Sequence, residues 1–220
     1  MKPGRVFTYL LNSTKMSTIC DRQIIKYGTK GMIQPFNEAQ VNPASYDVRL
    51  NEFLLIEHEH GCDYPEEAIK CEGRWVKHIC DKSGYVLKPG EFVLGCTEEL
   101  FNVPPEMEAV FQLKSSRGRE GFEHVLSGYI DPGFSGRLTL ELVNVNRFHD
   151  LLLVPGMLIG QIRFMLLDDR PAKDYSQTGH YQNDSNVQFS KVDIFGNEIQ
   201  EEKPASYSVS IAEPVVFPEP

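Results

Sequence analysis

Apolar and polar positions along this chain alternate mostly with a period of two, and the 3.6-residue period of a helix is almost absent. Tyr46, Val48 and Leu50 alternate with Asp47 and Arg49 after an Asn42-Pro43 turn, the pattern of a half-buried strand. Tyr85 to Thr97 predicts strand, turn, strand, with Lys88-Pro89-Gly90 as the turn. Another strand is expected over Ala109 to Leu113, beyond Pro104-Pro105. In Leu138-Thr139-Leu140-Glu141-Leu142-Val143 the three leucines share one face, and Thr139, Glu141 and Val143 share the other. Leu151 to Asp168 predicts a further pair of strands around a Pro155-Gly156 bend. One short helix is expected within Ser17 to Tyr27, capped by Ser, Thr or Asp and stopped by Gly28. The acidic, turn-rich residues 57–83 suggest an excursion from the core. Short strands punctuated by Gly and Pro indicate an all-β sandwich or barrel. We divide the chain into an N-terminal extension (1–15), one β domain (16–190) and an acidic tail (191–220).

Composition narrows the function. The 220 residues are 41% apolar, enough for one sizeable core that buries roughly 70% of the unfolded surface. Lys and Arg number 22 against 31 Asp and Glu, a net charge of −9. That balance argues against a nucleic-acid polymer as partner, because such binding feeds on neutralised phosphates. It leaves room for a small anion held by a few local cations. No run approaches the ~18 apolar residues of a membrane span, and the first residues lack the apolar run and cleavage site of a signal peptide. Five scattered cysteines, Cys20, Cys62, Cys71, Cys80 and Cys96, point to free thiols in a reducing cytoplasm.

The chemistry concentrates between Leu113 and Phe148. Lys114-Ser115-Ser116-Arg117-Gly118-Arg119 is expected to form a cationic, glycine-bearing turn. Its hydroxyls and amides suit an anion-binding nest, and its arginines suit bidentate phosphate contacts. It is not a Walker loop, since the Gly and Lys spacing differs. Asp131, in Ile130-Asp131-Pro132-Gly133, is placed to hold a sugar hydroxyl or orient a water, although Asp-Pro-Gly is also ordinary turn chemistry. Glu141 shares its strand face with apolar Val143, and a carboxylate in a partly dry site can shuttle protons near neutral pH. Together these suggest a site for a phosphorylated small molecule. His58, His60, Cys62, Cys71, His78 and Cys80 invite a zinc reading, but no C-x-x-C is present and the spacing fits no standard finger. Neither Ser115 nor Ser116 sits in a G-x-S-x-G elbow.

Six ordered segments carry a resemblance. Cys20-Asp21-Arg22-Gln23-Ile24, VNPASYDVRL from Val41, LKPGEFVLGCTEE from Leu87, KSSRGREG from Lys114, IDPGFSGRLTLELVN from Ile130 and PGMLIGQIRF from Pro155 are similar to successive motifs of the dCTP deaminases, in the trimeric dUTPase superfamily. The resemblance implies a distorted jelly-roll or β-barrel subunit in a homotrimer, with sites between subunits. It implies hydrolytic deamination of dCTP to dUTP without zinc, feeding dUMP and thymidylate synthesis; the metal-dependent deaminase signature is absent. By position, Glu141 matches the family's general base and acid, and Ser115 and Arg119 would position the water and the carboxylate. Lys114, Ser116 and Arg119 lie where phosphates are contacted. Asp131 matches the residue on the deoxyribose 3′-hydroxyl. His124 and Val125 match the segment that lines the base in the family, and Thr139 begins the strand segment beneath it. Tyr175, His180 and Gln182 correspond to the substrate-binding tail. Mg²⁺ would arrive on the triphosphate rather than in a protein cage, dTTP is the expected inhibitor, and the setting would be the cytoplasm of a bacterium or of a virus-infected host.

Some positions depart from the family pattern. Lys114 stands for Arg, which replaces a fork by a point charge. The chain is one residue short between Gly121 and His124. His180 stands for Lys, and Asp184 for Gln, which brings an acid towards the triphosphate. Gly128-Tyr129 before the Asp-Pro-Gly turn is closer to the bifunctional members, which release dUMP and pyrophosphate; Asp131 would there activate the water that attacks the α-phosphate. Two other readings remain: a plain dUTPase, which would leave Glu141 without a role and lacks its Gly-rich tail motif here, and a non-catalytic nucleotide-binding protein on the same scaffold.

Overall fold

The computed structural model describes residues 17–57, 74–125 and 128–192. In chain order the elements are β1 (Ser17–Thr18), α1 (Asp21–Tyr27), β2 (Ile33–Gln34), β3 (Val41–Asn42), β4 (Ser45–Arg49), β5 (Phe53–Glu57), β6 (Trp75–Ile79), β7 (Tyr85–Leu87), β8 (Phe92–Asn102) and β9 (Met107–Leu113). They continue with α2 (Ser115–Glu120), β10 (Phe122–His124), β11 (Tyr129–Ile130), β12 (Ser135–Asn144), β13 (Leu151–Leu153), β14 (Leu158–Leu166) and α3 (Tyr175–Thr178). The expected all-β class is found. One sheet runs β11-β9-β14-β4-β3, with β1 also on β14; the other runs β10-β12-β8-β5-β6, with β2 also on β8. One apolar cluster draws Tyr46 and Val48 from the first sheet and Phe101, Leu140 and Leu142 from the second, so the core lies between them. No helix among the described residues is long and apolar enough to cross a membrane.

Four expectations change. The helix begins at Asp21 with Cys20 in the cap position, where Gln23 Oε1 accepts from the Cys20 N–H at 3.2 Å; Ser17 and Thr18 belong to a strand instead. β4 is buried on both faces, Asp47 included at 7% exposure. Its charge is met there by the Lys114 ammonium and by Asn42 Nδ2 at 2.8 Å. The strands around Lys88-Pro89-Gly90 do not pair with each other: β7 pairs β13, while β8 pairs β12 and β5. Residues 57–83 are not all excursion, because β6 returns to pair antiparallel with β5. Of the six zinc candidates only His78 and Cys80 fall among the described residues; His58, His60, Cys62 and Cys71 lie outside them. Cys20, Cys80 and Cys96 are free thiols.

A second, smaller apolar cluster covers the other face of β8. Leu55, Leu94, Cys96 and Val187 are buried in it, with Trp75, Phe92 and Phe189 packed alongside. This explains why β8 is apolar on both sides: one face meets the main core, the other meets the segment after α3.

Candidate functional site

β12 alternates as its sequence requires. Leu138, Leu140, Leu142 and Asn144 are buried in the main core, and Arg137, Thr139, Glu141 and Val143 point the other way, half-buried. A cavity of about 450 Å³ opens on that second face. β12 contributes Arg137, Thr139 and Glu141, β11 contributes Tyr129, the turn between them contributes Asp131 and Phe134, and Phe92 and Trp75 close the far side. The segment after α3 lies over it. Arg137 N–H donates to the Asp184 carbonyl at 2.8 Å, and Gln188 N–H donates to Thr139 Oγ1 at 3.2 Å. β12 and β8 slip register between Arg137 and Thr139. Such a bulge leaves carbonyls without ladder partners. The Arg137 guanidinium takes up those of Thr97 (3.0 Å) and Glu98, and it also donates to the Ser185 carbonyl in the covering segment (2.9 Å).

Glu141 is the acid at the centre of this face, with its side chain 25% exposed. Its Oε2 lies 3.1 Å from Nε2 of His124, a nearly buried imidazole that tilts on Phe111 with ring centres 4.7 Å apart. The Glu141 carbonyl accepts from Val125 N–H at 3.1 Å, which ties the edge strand to the carboxylate's own residue. Asp131 lies towards the other end. Its carbonyl accepts from Phe134 N–H at 3.2 Å, closing the turn. Burial, and then the like charge of Glu108, hold its carboxyl above the usual carboxylate range. The Tyr129 phenol donates to Glu108 Oε2 at 2.8 Å; burial and that bond push it up to about 12. Tyr175 packs on Phe134 with ring centres 5.7 Å apart, and its hydroxyl accepts from Tyr181 N–H at 3.3 Å. Burial is the main reason its phenol also titrates high.

One chain therefore gathers Glu141, Asp131, Thr139 and Tyr175 around one cavity, and leaves the other expected site residues elsewhere. The cationic turn is a helix, α2, rather than a nest: Gly121 at φ 101° ends it in the left-handed region. Ser115, Ser116 and Arg119 are exposed on it and do not line the cavity. Arg119 makes no ion pair among the described residues. Lys114 sits at the helix N-cap with its ammonium on Asp47. Val125 and His180 are exposed. Gln182 grips the turn before β12: its Oε1 accepts from Ser135 N–H at 3.0 Å, and its Nε2 donates to the Gly133 carbonyl at 3.1 Å. Asp184 lines the cavity, but Lys191 Nζ lies 2.8 Å from its carboxylate and offsets the charge.

A family model described as dCTP deaminase-like matches residues 18–167. The chain belongs to the dCTP deaminase-like family. Among curated relatives, a "dCTP deaminase, dUMP-forming" of Leifsonia xyli subsp. xyli is 37% identical over 195 residues, which cover 82% of this chain and 96% of the relative. One of the same name from Sulfurihydrogenibium is 34% identical over 182 residues, covering 78% and 95%. Among solved structures, the 2′-deoxycytidine 5′-triphosphate deaminase from Agrobacterium tumefaciens superposes with a TM-score of 0.55 at 25% identity, over 69% of this chain and 48% of that one. This chain thus spans about half the length of that solved protein. The matched dCTP deaminase-like region holds Lys114 through Glu141 and ends before Tyr175, His180 and Gln182. Trp75, Phe92 and Arg137 escaped the sequence reading. The one Trp of the chain was the available signal for the first, whereas Arg137 and Phe92 carry no local mark.

Proposed function

We propose that this chain hydrolyses dCTP to dUTP and ammonia in the cytoplasm. The observation that supports this most is that Glu141, Thr139 and Asp131 line a single cavity walled by aromatic rings. Glu141 takes a proton from the water that attacks C4 of cytosine. It then delivers a proton to the departing amine, so that water and dCTP become dUTP and ammonia. His124, whose Nε2 lies 3.1 Å from the carboxylate, faces the base. Asp131 binds the 3′-hydroxyl, and Tyr175 and His180 attend the ribose and phosphates from the segment after β14. Ser115 and Arg119 orient the water and carboxylate, and Lys114 and Ser116 serve the phosphates, from α2 of a neighbouring copy in a homotrimer. No group of three or more His, Cys, Asp or Glu suited to a metal occurs among the described residues; Mg²⁺ is carried in on the triphosphate as part of the substrate. dTTP competes for the same site.

A second reading extends the first: the product is cleaved further to dUMP and pyrophosphate. Gly128-Tyr129 before the Asp131 turn favours it, as do the dUMP-forming names of the relatives. Asp131 then activates the water that attacks the α-phosphate. The test is incubation with dCTP and Mg²⁺ followed by nucleotide separation. dUTP supports the first reading, dUMP with pyrophosphate the second, and unchanged dCTP ends both. Glu141→Gln is expected to cut deamination by at least ~100-fold, as loss of a general acid–base does; near-normal turnover would remove Glu141 from its role.

A further inference from the structure

We propose that Trp75, with Phe92, forms the wall that receives the pyrimidine ring beside Glu141 and selects it by size. This deepens the deaminase reading and rests on it. Trp75 opens β6 at the outer edge of its sheet, where Val76 is 45% and Ile79 65% exposed. Its indole packs on the small cluster of Leu55, Leu94, Cys96 and Val187 and still lines the cavity. Here the ring leans across β5 to meet Phe92 edge-on, with ring centres 5.9 Å apart at 61°. Phe92 stands opposite Val143, two pairs along from Leu94 opposite Glu141 and on the same face, so the aromatic pair adjoins the carboxylate's row. Trp75, Phe92 and Glu141 all line the same cavity.

The indole is held from behind as well. The Arg74 guanidinium stacks on it 5.0 Å from the ring centre. Arg74 Nη2 is paired at 2.6 Å with Glu57, the residue directly opposite Trp75 in the ladder. Two rings fixed at an angle next to a carboxylate and the Thr139 hydroxyl suit a flat heterocycle that turns an amino-bearing edge to the acid. Aromatic faces hold bases with little regard to sequence, so the proposed size selection has to lie in the space between the two rings and Glu141.

The chain has one Trp, so indole emission reports this wall alone. The full-length Glu141→Gln protein, which binds without turnover, is titrated with dCTP and with dATP, each with Mg²⁺. Saturable quenching by dCTP and none by dATP is expected. In the wild-type background, Trp75→Ala should raise KM for dCTP about tenfold, the loss that follows removal of a stacking partner, with kcat changed far less. Trp75→Phe, which keeps the apolar packing, should recover most of that loss. If dCTP is turned over while emission stays constant and both variants keep the wild-type KM, the wall is wrong and the deaminase reading stands. Quenching by dCTP, with no product formed from dCTP by the wild-type protein, would keep the wall and end the deaminase reading. Equal quenching by dATP overturns the size selection.

Discussion

Asp131 sits where a negative charge is unwelcome. Its carboxyl is partly buried, Glu108 faces it with like charge, and both raise its pKa. The folded value exceeds the unfolded one, near about 3.9. The group therefore favours folding in full below the unfolded value, and that contribution is lost as pH rises through the folded value. Asp131→Asn should accordingly raise Tm at pH 7, by no more than about 2 °C because the carboxyl is half open to solvent. The gain should vanish near about pH 3.5. The turn is closed by the Asp131 carbonyl, not its side chain, so the substitution leaves it intact. Thermal melts at both pH values check this, and a lower Tm at pH 7 would mean that the carboxylate is stabilised by a contact outweighing Glu108. Legibility at this scale followed backbone periodicity. The orientation of Glu141 was readable in Leu138 to Leu142 because a strand turns alternate side chains to opposite faces. That Trp75 and Phe189 would share its cavity was not, since no local pattern records which distant segment lies over which sheet face.

Helix α2 was misread as a turn for a physical reason. Ser115, Ser116 and Gly118 all weaken helices, by side-chain competition for the backbone or by backbone entropy. What secures the helix lies beyond its last residue: Asn146 Nδ2 donates to the Glu120 carbonyl at 2.8 Å, and Gly121 takes the left-handed cap at φ 101°. A Cβ at Gly121 would fall 2.2 Å from that same Asn146 amide. Gly121→Ala therefore faces strain and a lost capping contact together, and should cost about 2 kcal/mol. Because α2 carries Ser115, Ser116 and Arg119, kcat/KM for dCTP should fall as well. Denaturant melts and steady-state rates check the pair of effects; unchanged stability would show that the cap can shift freely, and loss of stability alone would separate α2 from catalysis. The pairing of β7 with β13, rather than with its neighbour β8, escaped for a similar reason. Lys88-Pro89-Gly90 was legible as a turn, but β8 already has β12 and β5 on its two sides.

At the scale of the whole molecule, two halves of the proposed site stand apart. Glu141 and Asp131 line a cavity that the exposed Ser115, Ser116 and Arg119 of the same chain do not reach. A closed ring of three copies repairs this if each copy offers α2 to the next, because a head-to-tail contact repeated around a threefold axis leaves no site incomplete. The arrangement has a consequence that geometry within one chain cannot mimic. Glu141→Gln and Arg119→Ala chains should each be almost inactive alone. Mixed at equal ratio by co-expression, about one site in four should pair an intact Glu141 with an intact α2 from its neighbour, restoring about a quarter of the wild-type rate. If both residues served the same site from one chain, every site in the mixture would stay defective and no activity would return. Recovery near a quarter, measured on purified mixed oligomers, therefore tests the sharing of the site between chains, while the mass of the mixed assembly tests the ring of three.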